Sequence, residues 1–175
     1  TAKATREGKL KNPLLKVQAA EQLWRSADPD VLEFFSAVLY FQNNYNEERS
    51  GADFDALRAV AKNPLKLPYF LHDSKASSNI TASSVKAQRI VSLVPDLRLT
   101  IYKTDEYYEV SGRLTIDGKS HGLENITLKY YYFIQQGAVL YLIDNPYFLH
   151  VISFFKKHQG RLVVPHAEFE DFQEN

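Results

Sequence analysis

The sequence predicts an α+β fold: an N-terminal bundle of about three short helices, then an antiparallel β-meander of four or five strands with a helix packed on it. Three observations predict it. Between Asn12 and Asn63 the apolar residues recur three and four positions apart, as one face of a helix requires. After Lys66 the spacing falls to two, the period of a strand with one dry face. Turn dipeptides, Asp117-Gly118 and Gln136-Gly137, separate the β-patterned runs.

The chain has 175 residues, with 21 basic and 21 acidic side chains, no Cys and no Met. That length suits one compact unit, and 45% hydrophobic residues suffice for a core. Lack of Cys removes disulfide frameworks, thiolate zinc sites and thiol nucleophiles. Zero formal charge removes the simplest argument for a polyanion partner. Thr1 in a chain without Met points to a processed N-terminus or a piece excised from a longer protein. The final segment, Ala167 to Glu174, reads as an unfinished helix with Phe169 and Phe172 on one face, which favours the excised piece. No apolar run approaches the ~18 residues of a bilayer span, so no membrane partner is expected. Two N-x-T tripeptides, at Asn79 and Asn125, weigh little without a secretory signal.

Residues 1–11 carry Lys3, Arg6, Lys9 and Lys11 against Glu7 and read as a basic flexible arm. Residues 12–65 read as a helical subdomain. Asn12-Pro13 offers a cap followed by Pro at the first helical position, and Leu14, Leu15, Ala19 and Leu23 give a stripe ending near Trp24. Asp28-Pro29 repeats that device ahead of Val31, Phe34, Phe35, Val38 and Phe41, with Asp30, Glu33 and Tyr40 opposite. A third helix starts near Ser50 to Asp53, turns Phe54, Leu57 and Ala61 inward, and stops at Asn63-Pro64.

Residues 66–175 read as the sheet with its C-terminal helix. Leu97, Leu99 and Ile101 alternate with Arg98, Thr100 and Tyr102. Tyr108, Val110, Leu114 and Ile116 alternate with Glu109, Ser111, Arg113 and Thr115, so this pair is dry on one face and wet on the other. Asp117-Gly118 closes a hairpin through a primed turn. Ile126 to Gln135 and Ala138 to Asp144 form a second hairpin, apolar on both faces. Asn145-Pro146 opens a fourth helix with Phe148, Val151, Ile152 and Phe155 on its dry side and His150, Ser153 and Lys157 on its wet side. Gly160 ends it, and Arg161 to Val164 add a short edge strand.

Reactive constellations are sparse. The five His form neither H-E-x-x-H nor an i, i+4 pair, so no metal is expected. His72-Asp73 beside a Ser run lacks the strained elbow that a nucleophilic Ser needs. Asp105-Glu106 is ordinary turn chemistry, and Glu168, Glu170 and Asp171 belong on an exposed helix side. Neither G-x-x-x-x-G-K-[ST] nor G-x-G-x-x-G occurs. The Tyr set (Tyr107, Tyr108, Tyr130, Tyr131, Tyr132, Tyr141, Tyr147) admits base stacking. With only Lys129 at its densest part, it reads better as half-buried sheet packing. The chain is read as non-catalytic, without a cofactor of its own.

Several stretches together resemble one family. They are Leu10-Lys11-Asn12-Pro13-Leu14, Phe41-Gln42-Asn43-Asn44-Tyr45, Ala56-Leu57-Arg58-Ala59, Lys62-Asn63-Pro64-Leu65 and Phe70-Leu71-His72-Asp73. Further on come Tyr107-Tyr108-Glu109-Val110-Ser111-Gly112, Leu140 to Pro146, and Phe154-Phe155-Lys156-Lys157. The chain resembles the N-terminal region of large bacterial Swi/Snf-family ATP-dependent helicases of the Bacteroidetes type. The resemblance implies an accessory domain preceding the motor, in the cytoplasm, with the rest of the helicase as partner. ATP and Mg would belong to the motor only. Asp105-Glu106-Tyr107-Tyr108 has Tyr where a D-E-x-H box has His, so no catalytic residue carries over. If the accessory domain touches DNA, the candidate phosphate contacts are Lys9, Lys11 and Lys16 on the arm and Lys156, Lys157 and Arg161 around the end of the fourth helix. Cations there also complement a helix dipole without any ligand. The alternative is a protein-interaction or docking domain with no nucleic-acid role.

Overall fold

The computed structural model describes residues 3–4, 6, 10–11, 18–44, 51–72 and 78–174. The fold is α+β, with five α-helices and largely antiparallel strand pairing among the described residues. The chain divides into two compact units, one of residues 1–91 with 137–140, the other of residues 92–136 with 141–175.

In the first unit, the two-residue strands β1 (Lys3–Ala4) and β2 (Leu10–Lys11) pair antiparallel, Lys3 opposite Lys11. Three helices follow: α1 (Ala19–Arg25), α2 (Pro29–Asn44) and α3 (Gly51–Lys62). Asp28 caps α2 as expected: its side chain accepts the Asp30 N–H at 2.9 Å and its carbonyl the Leu32 N–H at 2.9 Å. Phe34 and Phe35, packed edge to face at 5.3 Å, join Ala19 in a core flanked by Leu23, Val38 and Val60. The start expected at Asn12-Pro13 lies outside the described residues. Trp24, where the first stripe ends, is 91% exposed.

Asn63 terminates α3 at a φ of 45°, and its side chain clamps Leu67 through both the N–H and the carbonyl. The Tyr69 hydroxyl donates to the Val60 carbonyl, and burial pushes its pKa up to about 12. Tyr69 begins β3 (Tyr69–His72), which runs antiparallel to β4 (Val85–Leu93). The Arg89 N–H reaches the Ala138 carbonyl at 3.2 Å within the same unit.

The second unit is built on β5 (Asp96–Lys103) and β6 (Tyr107–Ile116), paired along the whole of β5. The other edge of β6 is shared. β11 (Arg161–Pro165) pairs with Tyr107 to Ser111, and β7 (Lys119–Gly122) with Arg113 to Ile116. Asp117 and Gly118 lie at φ 49° and 75°, the two positive values of the expected primed turn.

After a 3-10 turn at Leu123–Asn125 come β8 (Thr127–Lys129), β9 (Phe133–Gln136) and β10 (Val139–Ile143), ordered β10–β9–β8. Two expectations are corrected here. The strands form separate sheets instead of one meander, because β6 pairs with the late strand β11 and the β8–β9–β10 run pairs elsewhere. The single strand expected from Ile126 to Gln135 is a hairpin, broken where Tyr130 and Tyr131 take φ of 51° and 68°. Its rings face out, Tyr130 52% and Tyr131 77% exposed, whereas Tyr141 is buried and donates to Asp117. The Tyr set is therefore divided between core and surface.

α4 (Tyr147–Lys157) begins with Asn145 accepting the Tyr147 N–H at 3.0 Å. It buries Leu149, Ile152 and Phe155, while Phe148 and Val151 are half-buried. Gln159 and Gly160 end it at positive φ, the Gly160 N–H bonding the Phe155 carbonyl at 2.7 Å. A 3-10 turn at His166–Glu168 leads into α5 (Phe169–Glu174), where Phe169 stacks on Tyr108 at 3.7 Å. Val110, Leu114, Leu123, Ile134, Leu142 and Ile152 are among the most deeply buried side chains of this unit. No helix among the described residues is long and apolar enough to cross a membrane.

Candidate functional site

The candidate contacts around the end of α4 lie in the second unit, and each has a definite position. Lys156 is half-buried, and its ammonium donates to the carbonyls of Glu124 (3.3 Å) and Ile126. It fastens α4 to the 3-10 turn, filling acceptor groups that the turn leaves open. Lys157, one residue on, is exposed. The Arg161 guanidinium sits 3.4 Å from the Glu109 carboxylate across the β11–β6 pair. Lys11 is exposed on β2 in the first unit, and Lys9 and Lys16 lie outside the described residues.

Beside Arg161 is a polar concavity of about 490 Å³ with Arg113, His158, Glu124 and Gly160 in its wall. Two of its charged groups are engaged by residues outside the wall. Arg113 donates to the Ser120 hydroxyl at 2.8 Å and carbonyl at 3.1 Å, and Asn125 donates to Glu124 at 2.7 Å. Glycine suits position 160 by its φ of +80°, and a Cβ there would displace the Glu124 side chain.

A different surface is left open. β5 ends the order β11–β6–β5, so among the described residues only one of its edges is paired. Its inward-patterned residues Leu99 and Ile101 were expected to be dry, yet each is 48% exposed. Their partners on β6, Gly112 and Val110, are buried, so cover is complete over the middle strand and incomplete over the outer one. Leu99 and Ile101 line a groove of about 640 Å³ with His150, Val151 and Phe154 of α4 and Phe172 of α5. Phe154 is 46% exposed, and it lines with Phe172 a further concavity of about 590 Å³. A wall of aliphatic and aromatic side chains, with the His150 imidazole and the Gln173 amide as its polar members, accommodates apolar side chains and offers little to a phosphate.

His72 of the suggested relay pair is on β3 with Nε2 buried and unbonded; Asp73 lies outside the described residues. Among the described residues no group of three or more His, Asp or Glu is placed to hold a metal ion. Sequence reasoning missed the groove because it treated the apolar alternation of β5 as proof of cover. The available signal was positional: a strand from the outer edge of a sheet can carry that alternation and stay half open. Comparison with protein-family models, curated proteins and solved structures returns no match.

Proposed function

We propose that the chain is a non-catalytic accessory module of a Swi/Snf-type ATP-dependent helicase, acting through polypeptide contacts. The sequence resemblance supports the helicase part of this reading. The open groove bounded by Leu99, Ile101, Phe154 and Phe172 carries the choice of polypeptide over nucleic acid. An apolar concavity of this kind gains by excluding water from a partner's side chains, at about 25 cal/mol per Å². The cations offer less to DNA: Lys156 is bonded to two carbonyls and Arg161 faces Glu109, so of the three only Lys157 projects as a plain exposed cation. In this reading ATP hydrolysis belongs to the motor, and this chain holds surfaces in place around it.

The reading frame encoding the chain tests the proposal. It should also encode a phosphate-binding loop followed by a D-E-x-H box. In the full polypeptide, Phe154→Asp should leave basal ATP hydrolysis within about two-fold and weaken its stimulation by DNA several-fold. A frame without those motor motifs contradicts the proposal.

A further inference from the structure

Among the described residues the outer edge of β5 is unpaired. Exposed edge strands are usually blocked by a bulge, an internal proline, an inward charge or short length. β5 has eight residues, and its ladder with β6 runs without interruption from Asp96 opposite Thr115 to Lys103 opposite Tyr108. Pro95 precedes the strand and Lys103 ends it, so the middle is unblocked. Every residue from Arg98 to Lys103 is exposed.

The apolar residues of that middle are placed symmetrically about Thr100. Leu99 and Ile101 flank it on the groove face; Arg98 and Tyr102 flank it on the other face. We propose that β5 pairs antiparallel with β5 of a second copy of this chain, about a two-fold axis through Thr100, so that the partner in the protein-contact reading above is the chain itself.

In this register each Leu99 lies opposite an Ile101 and each Arg98 opposite a Tyr102, and the interface is isologous. Apolar meets apolar, and a guanidinium meets an aromatic ring. Asp96 and Lys103 fall opposite Thr104 and Leu97, so no like charges face each other. A parallel in-register pairing would set Arg98 beside Arg98 and Lys103 beside Lys103, which is destabilising.

The chain contains no Cys, so one introduced thiol is an unambiguous reporter. Antiparallel partners have Cα atoms about 4.5–5.5 Å apart, within the range a disulfide bridges. Sedimentation equilibrium of the chain should give a dimer mass. Ile101→Lys should weaken association at least ten-fold with circular dichroism unchanged. Under mild oxidation Thr100→Cys should cross-link into a covalent dimer, and Ser120→Cys on the far side of the sheet should not. A monomer at several hundred micromolar, a dimer indifferent to Ile101→Lys, or equal cross-linking at both thiols overturns the proposal. A monomeric chain whose groove variants still impair the full polypeptide overturns self-pairing alone, because the groove then serves another polypeptide.

Discussion

Gly112→Ala tests the packing beneath the groove. Gly112 lies on β6 opposite Leu99. A Cβ there would stand 2.9 Å from Leu123 Cγ, nearer still to Leu123 Cδ1, and 3.2 Å from Leu99 Cδ2. Favourable carbon contacts lie at about 3.5–4.0 Å, so the overlap is most of an ångström. Leu123 is fully buried and cannot swing into solvent, so the sheet and the 3-10 turn must separate. Overpacking of this kind costs about 1–3 kcal/mol. Gly112 is absent from the positive-φ glycines, so the expected loss is steric alone.

Gly118→Ala supplies the opposite case. Nothing lies within 4 Å of its Cβ, but its φ is +75°, so only a backbone penalty of about 1–2 kcal/mol applies. Urea denaturation followed by circular dichroism measures both. In a Leu123→Ala background the Gly112→Ala cost should vanish, a coupling of at least about 1 kcal/mol, while Gly118→Ala should remain additive. A Gly112→Ala loss below about 0.5 kcal/mol, or additivity with Leu123→Ala, refutes the packing argument.

Other expectations follow from single contacts. Lys156→Met removes an ammonium from two carbonyls and should cost about 1.5–3 kcal/mol in urea denaturation, whereas Lys157→Glu should stay within about 0.5 kcal/mol. Because the folded pKa of Tyr69 is raised to about 12, its contribution is fully present below its unfolded pKa near 10. That stability is lost as pH rises from about 10 to 12, and thermal melts of Tyr69→Phe should lose this alkaline component. Tyr131→Gly relieves a left-handed tyrosine whose ring is 77% exposed, and should raise stability by about 0.5–1 kcal/mol.

Where local chemistry decides structure, the sequence was informative. Asp28-Pro29 and Asn145-Pro146 open α2 and α4 because a side-chain acceptor followed by a residue with fixed φ suits a helix start. Asp117-Gly118 turns because it tolerates two positive φ values. Strand partnership was not legible, since the pairing of β6 with β11 depends on a return of the chain some fifty residues later. The break at Tyr130 and Tyr131 gave no warning either, because tyrosine favours strands and no Gly or Asn marks the turn.

At the candidate site, the charge pattern located Lys156, Lys157 and Arg161 near the end of α4. It could not reveal that the Glu124 and Ile126 carbonyls already engage the first of them. The apolar alternation of β5 located its two faces and said nothing of whether a neighbour covers them. Exposure of Leu99 and Ile101 is a property of strand order, which arises only in three dimensions.

Amide hydrogen exchange, compared between the dilute chain and the full polypeptide in its assembled state, tests most directly that this chain acts through its open strand. Slowed exchange confined to residues 97–103 and the facing turns of α4 is the predicted result. Unchanged exchange there, with protection appearing on β11 and around Lys157 only when DNA is added, would contradict it.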